Sequence, residues 1–324
     1  MQKKIFSRQA LVRCLIFSST SMLLFCLGFF MLPRGMVPLV ALGILALALS
    51  PTPLALLGAR ENKILMTLGI LWASLALGMF FGLWLALAFL LGYGFLCFGL
   101  TLPLGKLEKG SESLLFCIGI SIISKLLFVA SSVALTGTNP YALDMNMLQN
   151  MYSGMLSGEQ GGVRSREQLA QTIELVPYMF PFFIIMYSMV DSFLNYKSCE
   201  ILQRKHDVKF PPLPPFGEWR FPSSFIYVFV FAFVLPFIMG DNNSRLWIML
   251  EYNLKFIINI FFFLQGMSLV WWFFSKLAAS RFFPLPLRII LVGLLSMPIF
   301  TMWVIALGLC DICFDLRNRK LKRA

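Results

Sequence analysis

One lysine, Lys125, stands near the middle of the apolar run ISIISKLLFVASS. A charge at membrane depth is costly unless it is paired or hydrated. Lys125 should therefore face a cavity or a carboxylate. The run LEYNLKFIINIFFFLQG places Glu251, Lys255 and Asn259 at i, i+4 and i+8, which is one face of a helix. Glu251 and Lys255 can pair within that helix, or lie at the interface and reach for water. Asn259 and Gln265 lie deeper and need another helix, water or a ligand. Lys125, Glu251, Lys255, Asn259 and Gln265 form the candidate ligand-binding set. Asp191 and Asn195 are again spaced i, i+4. In GLCDICFDLRNR, Asp311 and Asp315 share a face and Arg317 can neutralise one of them. That group reads as an interfacial lock more readily than as a site.

Other chemistry is poorly supported. Cys310-x-x-Cys313 has redox or metal spacing, but no second pair accompanies it, and the single histidine, His206, is about a hundred residues away. Zinc catalysis and Ser-His-Asp chemistry both need more than that. No phosphate loop, dinucleotide fingerprint, H-E-x-x-H or G-x-S-x-G is present. No acid, base and nucleophile converge, so a non-enzyme without cofactor or metal is expected.

The elements that must position these residues follow from composition. The chain is 59% hydrophobic and 13% charged, with 34 Phe and 18 Met and a mean hydropathy of +0.81. An average soluble domain is roughly 45–50% apolar and about 25% charged. A soluble enzyme, a disordered chain and a disulfide scaffold are excluded. An all-α polytopic transmembrane helical bundle remains, because barrel strands give only short alternating segments. Nine apolar segments emerge, at about 11–32, 36–58, 64–81, 83–103, 113–135, 173–196, 224–240, 247–274 and 286–310. The second holds Pro38, Pro51 and Pro53 and should kink or re-enter. The third and fourth are split only by Phe81-Gly82 and must form a tight hairpin. Gly78 and Gly82, and then Gly92, Gly94 and Gly99, are positions where helix backbones can approach.

The net charge is +12. Basic residues gather in cytoplasmic loops. With the N-terminus inside, those loops hold Lys3, Lys4 and Arg8, then Arg60 and Lys63, then Lys106 and Lys109, then Lys197, Arg204, Lys205, Lys209 and Arg220, and finally Lys276 and Arg281. Nine spans would put the basic tail outside, and eight would put it inside; composition leaves both open. No basic stripe with interleaved aromatics suggests nucleic acid. Anionic lipid headgroups suit the tail residues Arg317, Arg319, Lys320, Lys322 and Arg323. The first apolar run is too long for a signal-peptide core and lacks an A-x-A site, so it reads as a retained span. The chain is expected to be one integral membrane domain, 1–324: a six-span part (1–196), a Pro-rich cytoplasmic connector (197–222), and two or three further spans with the tail (223–324). In the loop 137–172, Met147, Met151 and Met155 share a helical face, which suits either a surface amphipathic helix or a lid. The connector FPPLPPFGEWRFP favours an extended segment, either a rigid linker or a partner-binding motif.

The C-terminal third, with NLKFIINIFFFLQG and GLCDICFDLRNR, resembles the YybS-like family of predicted bacterial membrane proteins, a domain of unknown function. The matching residues are Asn253, Gln265, Gly266, Gly308, Asp311, Asp315 and Arg317, with Leu316 where the family tends to have Phe. The stretch around Asn195, LPPFGEWRFP and PTPLALLGARENK also fit. The first six spans are in turn similar to the S components of energy-coupling-factor vitamin transporters, apart from the extra C-terminal segments. That resemblance implies a multi-pass bacterial inner-membrane protein with a cytoplasmic N-terminus. It would bind a small solute from the outer side and work with a separate ATPase and coupling subunit. A non-catalytic scaffold that binds a cytoplasmic partner is the alternative.

Overall fold

The computed structural model describes residues 7–32, 37–137, 139, 175–206, 208–240, 244–277 and 285–317. The expectations for Met147, Met151, Met155 and the tail beyond Arg317 lie outside the described residues. Among those residues every regular element is helical, as composition requires of a chain that satisfies its own backbone in lipid. The chain divides into two compact units, residues 1–144 with 183–213, and residues 145–182 with 214–324.

In the first unit, α1 (Arg8–Met31) begins where the Ser7 hydroxyl accepts the Ala10 N–H at 3.1 Å. The second apolar segment is broken as its prolines demand. Helix α2 (Val37–Leu49) stops at Ser50, and α3 (Pro51–Arg60) restarts on Pro51, whose ring supplies no N–H to the turn before it. The last carbonyls of α2 then need other donors. Ser21 Oγ donates to the Ser50 carbonyl at 2.5 Å, and Asn195 Nδ2 donates to that of Ala48 at 2.6 Å. Helix α4 (Lys63–Phe81) is capped by Asn62 and runs into α5 (Leu83–Phe89) through Gly82 at φ +93, a value that only glycine adopts readily. The expected hairpin is therefore present. One turn of π-helix, Leu90–Gly94, links α5 to α6 (Phe95–Thr101). Helices α7 (Gly110–Thr136) and α8 (Phe180–His206) carry the polar residues described below. Leu54, Leu57, Leu65, Met66, Leu77 and Phe89 pack the centre. Gly94 and Gly99 do admit close neighbours, Ile70 and Ile120, whereas Gly82 and Gly92 face open space.

The second unit is built on α9 (Phe225–Met239), α10 (Arg245–Leu277), α11 (Leu285–Leu295) and α12 (Pro298–Phe314). Lipid supplies no hydrophobic drive between helices, so close backbone approach has to replace it. Gly266 of α10 and Gly308 of α12 supply that approach: a Cβ on Gly308 would strike the Phe262 carbonyl, and one on Gly266 the Val304 carbonyl. We expect Gly308→Ala to cost about 1–3 kcal/mol through overpacking, read as a lower unfolding midpoint in detergent. Gly293→Ala, where nothing lies within 4 Å, should leave the midpoint unchanged.

Among the described residues seven helical segments are long and apolar enough to cross a membrane: Arg8–Met31, Pro38–Arg60, Lys63–Phe81, Leu83–Thr101, Gly110–Thr136, Val176–Gln203 and Arg245–Lys276. The other two apolar segments are less simple. Helix α9 has 15 residues, short of the roughly 20 that span about 30 Å. The last segment is bent by 99° between α11 and α12.

Candidate functional site

Two buried polar centres stand out, one in each unit. In the first, α7 buries Ser113, Cys117, Ser121, Ser124, Lys125 and Ser132 along one face. Helix α8 buries Ser188, Asp191, Ser192, Asn195 and Cys199 at spacings of three and four. Lys125 is 1% exposed and Asp191 0%. Lys125 Nζ donates to Asp191 Oδ2 at 3.0 Å and to Ser121 Oγ at 2.6 Å, and lies 4.6 Å from the centre of the Tyr187 ring. An ammonium has three protons to place, and these three neighbours receive them. Asp191 Oδ1 accepts from Asn195 Nδ2 at 3.0 Å. Thr52 Oγ1, in the first turn of α3, donates to Asn195 Oδ1 at 2.8 Å. The proline break thus anchors the carboxylate through Asn195. Beside Lys125, Ser124 Oγ donates to the π-turn carbonyls of Leu91 and, at 3.2 Å, Gly92. π-turns occur often at functional sites. The Ser188 hydroxyl is buried with no hydrogen-bond partner among the described residues.

In the second unit, Asp311 and Arg317 are an ion pair whose side chains are each 1% exposed. Arg317 Nε and Nη2 reach Asp311 Oδ2 at 3.0 and 2.9 Å. Gln265 Nε2 donates to the same oxygen at 2.5 Å, and Gln265 Oε1 accepts the Phe221 N–H at 3.0 Å. Arg317 Nη1 donates to the Gly217 carbonyl at 2.5 Å, and Nη2 to Ser268 Oγ at 3.2 Å. Ser268 Oγ in turn donates to the carbonyls of Phe216 and Trp219 at 2.7 and 3.1 Å. Asp315, in the left-handed region at φ 44, ends α12 and meets Arg220 at 3.2 Å in an exposed pair. Burial pulls the Arg317 guanidinium below its ordinary pKa, and Asp311 beside it opposes that pull. The group fastens the end of α12 to residues 216–221, which is the lock expected from the sequence.

Each candidate residue now has a place. Lys125 has the carboxylate that its depth demanded. Glu251 and Lys255 pair within their own helix at 2.5 Å. Asn253 accepts the Phe182 N–H at 2.7 Å and donates to the Tyr178 carbonyl at 2.6 Å, a structural clasp in the second unit. Gln265 joins Asp311, not the Glu251–Lys255–Asn259 face. Asn259 departs from expectation: it is exposed. The reason is angular, because the buried stripe of α10 runs through Asn253, Ile258, Phe262 and Gln265 and turns Asn259 away from it. Arg317 was expected to neutralise one of the two aspartates and also to join the lipid-facing tail; it does the first, and its burial corrects the second. Cys310 and Cys313 are exposed free thiols, and no cluster of metal ligands occurs among the described residues. Sequence reasoning missed Thr52, Ser121, Tyr187 and Ser268 as partners. Asp191 was noted with Asn195 at the expected cytoplasmic end of its segment, but not as the partner of Lys125.

A family model described as "Predicted membrane protein (DUF2232)" matches residues 21–312. The chain is 28% identical over 165 residues to "Uncharacterized protein YybS" of Bacillus subtilis (strain 168). That alignment covers 50% of this chain and 52% of the relative, so it spans about half of the relative's length. No solved structure matches, and the likeness to S components is not shown by these matches. The match over 21–312 makes the chain a member of the DUF2232 family of predicted membrane proteins.

Proposed function

We propose that this multi-pass member of the DUF2232 family binds a small solute at the Lys125–Asp191 pair, in the manner of a transport protein, with its N-terminus on the cytoplasmic side of a bacterial inner membrane. The observation that carries the reading is the complete burial of both charges among membrane-crossing helices. As a stability device a buried ion pair is a poor choice, since a well-packed apolar pair often does as well or better. A pair that opens for a ligand has a reason to be there. Opening it frees one cation and one anion. A lone anionic solute would leave Asp191 bare, and a lone cationic one would leave Lys125 bare. A solute carrying both charges meets both groups and adds no net charge to the membrane interior. The Ser188 hydroxyl has hydrogen-bonding capacity to offer such a solute.

The chain has no nucleotide-binding motif, so energy for transport would come from an ion gradient or another subunit. The scaffold reading is less favoured. Backbone groups of the Pro-rich connector are already taken within the chain: Tyr196 Oη donates to the Pro211 carbonyl at 2.8 Å, and Trp219 Nε1 to that of Pro214 at 3.1 Å.

The test is a thermal-shift screen of the purified protein in nanodiscs, using amino acids and betaines, their singly charged analogues, vitamins and nucleosides. A zwitterion at a hundred times its Kd should stabilise by about 2.7 kcal/mol. The Lys125→Met/Asp191→Leu protein should stay folded and lose the shift. A wild type that no compound stabilises, or a double variant with an undiminished shift, rejects the assignment.

A further inference from the structure

Asn259 lies near the middle of the span Arg245–Lys276, within the apolar run FIINIFFFL, and is exposed. Its neighbour on that side, Phe256, is 38% exposed. A primary amide carries two N–H donors and a carbonyl acceptor. Facing hydrocarbon, all of them go unmet, at a cost that soluble proteins avoid by pointing such groups to water. The rest of α10 observes the rule. Asn253, Gln265 and Ser268 are buried and hydrogen-bonded, and Glu251 and Lys255 neutralise each other. Asn259 is the exception on this helix.

We propose that the outward face of α10 around Asn259 is a self-association surface, on which a second copy of this chain packs the same face. The occupant is chosen by complementarity. Two copies share one orientation in the bilayer, so a twofold axis along the membrane normal brings Asn259 opposite Asn259. Each amide then donates one N–H to the carbonyl of the other, so the acceptor and one of the two donors of each are met by the same residue type. The charged residues on the same face fit this arrangement. Glu251 and Lys255 sit one helical turn apart, so the lysine of one copy can reach the glutamate of the other as readily as its own. Closed twofold pairing of identical faces is also the commonest symmetry of homo-oligomers. Aromatic Phe256 would flank the amides and exclude lipid from them.

Interhelical hydrogen bonds in membranes contribute modestly each, so two reciprocal ones should change dimer affinity by about tenfold. The experiment reconstitutes donor-labelled and acceptor-labelled copies together in liposomes, over a range of protein-to-lipid ratios, and reads energy transfer. Wild type should show concentration-dependent transfer. Asn259→Leu, which suits a lipid-facing site and should fold normally, should weaken association about tenfold. Asn259→Gln, which keeps an amide, should restore most of it. A second measurement uses Asn259→Cys with Cys310 and Cys313 changed to Ser, and should give an oxidised dimer through residue 259. The proposal is overturned if wild type is monomeric at every dilution. It is also overturned if Asn259→Leu associates as wild type does, or if residue 259 cross-links only to a different protein or not at all.

Discussion

Asp191→Leu should destabilise the protein by about 3–5 kcal/mol, the cost of breaking a buried pair and leaving its partner charged. The Lys125 ammonium would keep Ser121 and the Tyr187 ring, but neither can neutralise it. Asn195 would also lose its bond to Asp191 Oδ1, although its links to Thr52 and the Ala48 carbonyl remain. Lys125→Met should cost a similar amount, by leaving Asp191 unpaired. The double variant Lys125→Met/Asp191→Leu should recover most of the loss, because apolar replacements of a buried pair are often neutral or stabilising. A double-mutant cycle on unfolding midpoints in detergent measures this coupling. Additive losses would mean that the two side chains do not act as a pair, and the binding assignment would fall with them.

The second large effect is expected at Arg317. Replacing it with leucine removes both of its bonds to Asp311, together with those to the Gly217 carbonyl and Ser268. Asp311 would keep only Gln265. The loss should again be about 3–5 kcal/mol. Arg317→Lys should rescue little, since a lysine has the charge without the planar fork that serves a carboxylate and a carbonyl at once. Arg220→Ala is the contrast. Its partner Asp315 is half exposed, and both side chains remain in contact with solvent, so that exposed pair should contribute no more than about 1 kcal/mol. Trp219 and Trp271 lie beside this group, each packed on Phe216. Tryptophan fluorescence during thermal unfolding should therefore report its loss. An Arg317→Leu protein as stable as Arg220→Ala would show that the end of α12 is not fastened in this way.

Much of this was legible in the sequence. Hydropathy located the long helices among the described residues, since a lipid-crossing segment has little freedom to be anything else. The prolines at 51 and 53 marked the break, and Gly82 marked the hairpin. The depth of Lys125 called for a cavity or a carboxylate, and the structure supplies the carboxylate; the i, i+4 spacing of Glu251 and Lys255 allowed the pairing that forms. What escaped was angular and long-range. Asn259 looked like a buried group because depth along a helix can be counted, whereas its facing depends on which stripe meets α12. Arg317 was legible as a neutraliser of Asp311 or Asp315, yet it also read as one of the basic tail residues, and nothing local signalled how deeply it is buried. Its burial depends on Gly217, a hundred residues earlier. The 99° bend between α11 and α12 had no unique signal either, for Pro298 is tolerated equally at the start of a straight helix.

The separation between Lys125 and its counter-ion has a consequence for biosynthesis. The two residues are 66 positions apart, so at roughly 5–20 residues per second the ribosome needs several seconds to make Asp191 after Lys125. During that interval the helix bearing Lys125 lacks its carboxylate partner and has only Ser121 on its own face. That favours a stay in a hydrated insertion channel or beside a membrane chaperone. An early truncation between the two positions should therefore leave a nascent chain that the insertion machinery releases slowly.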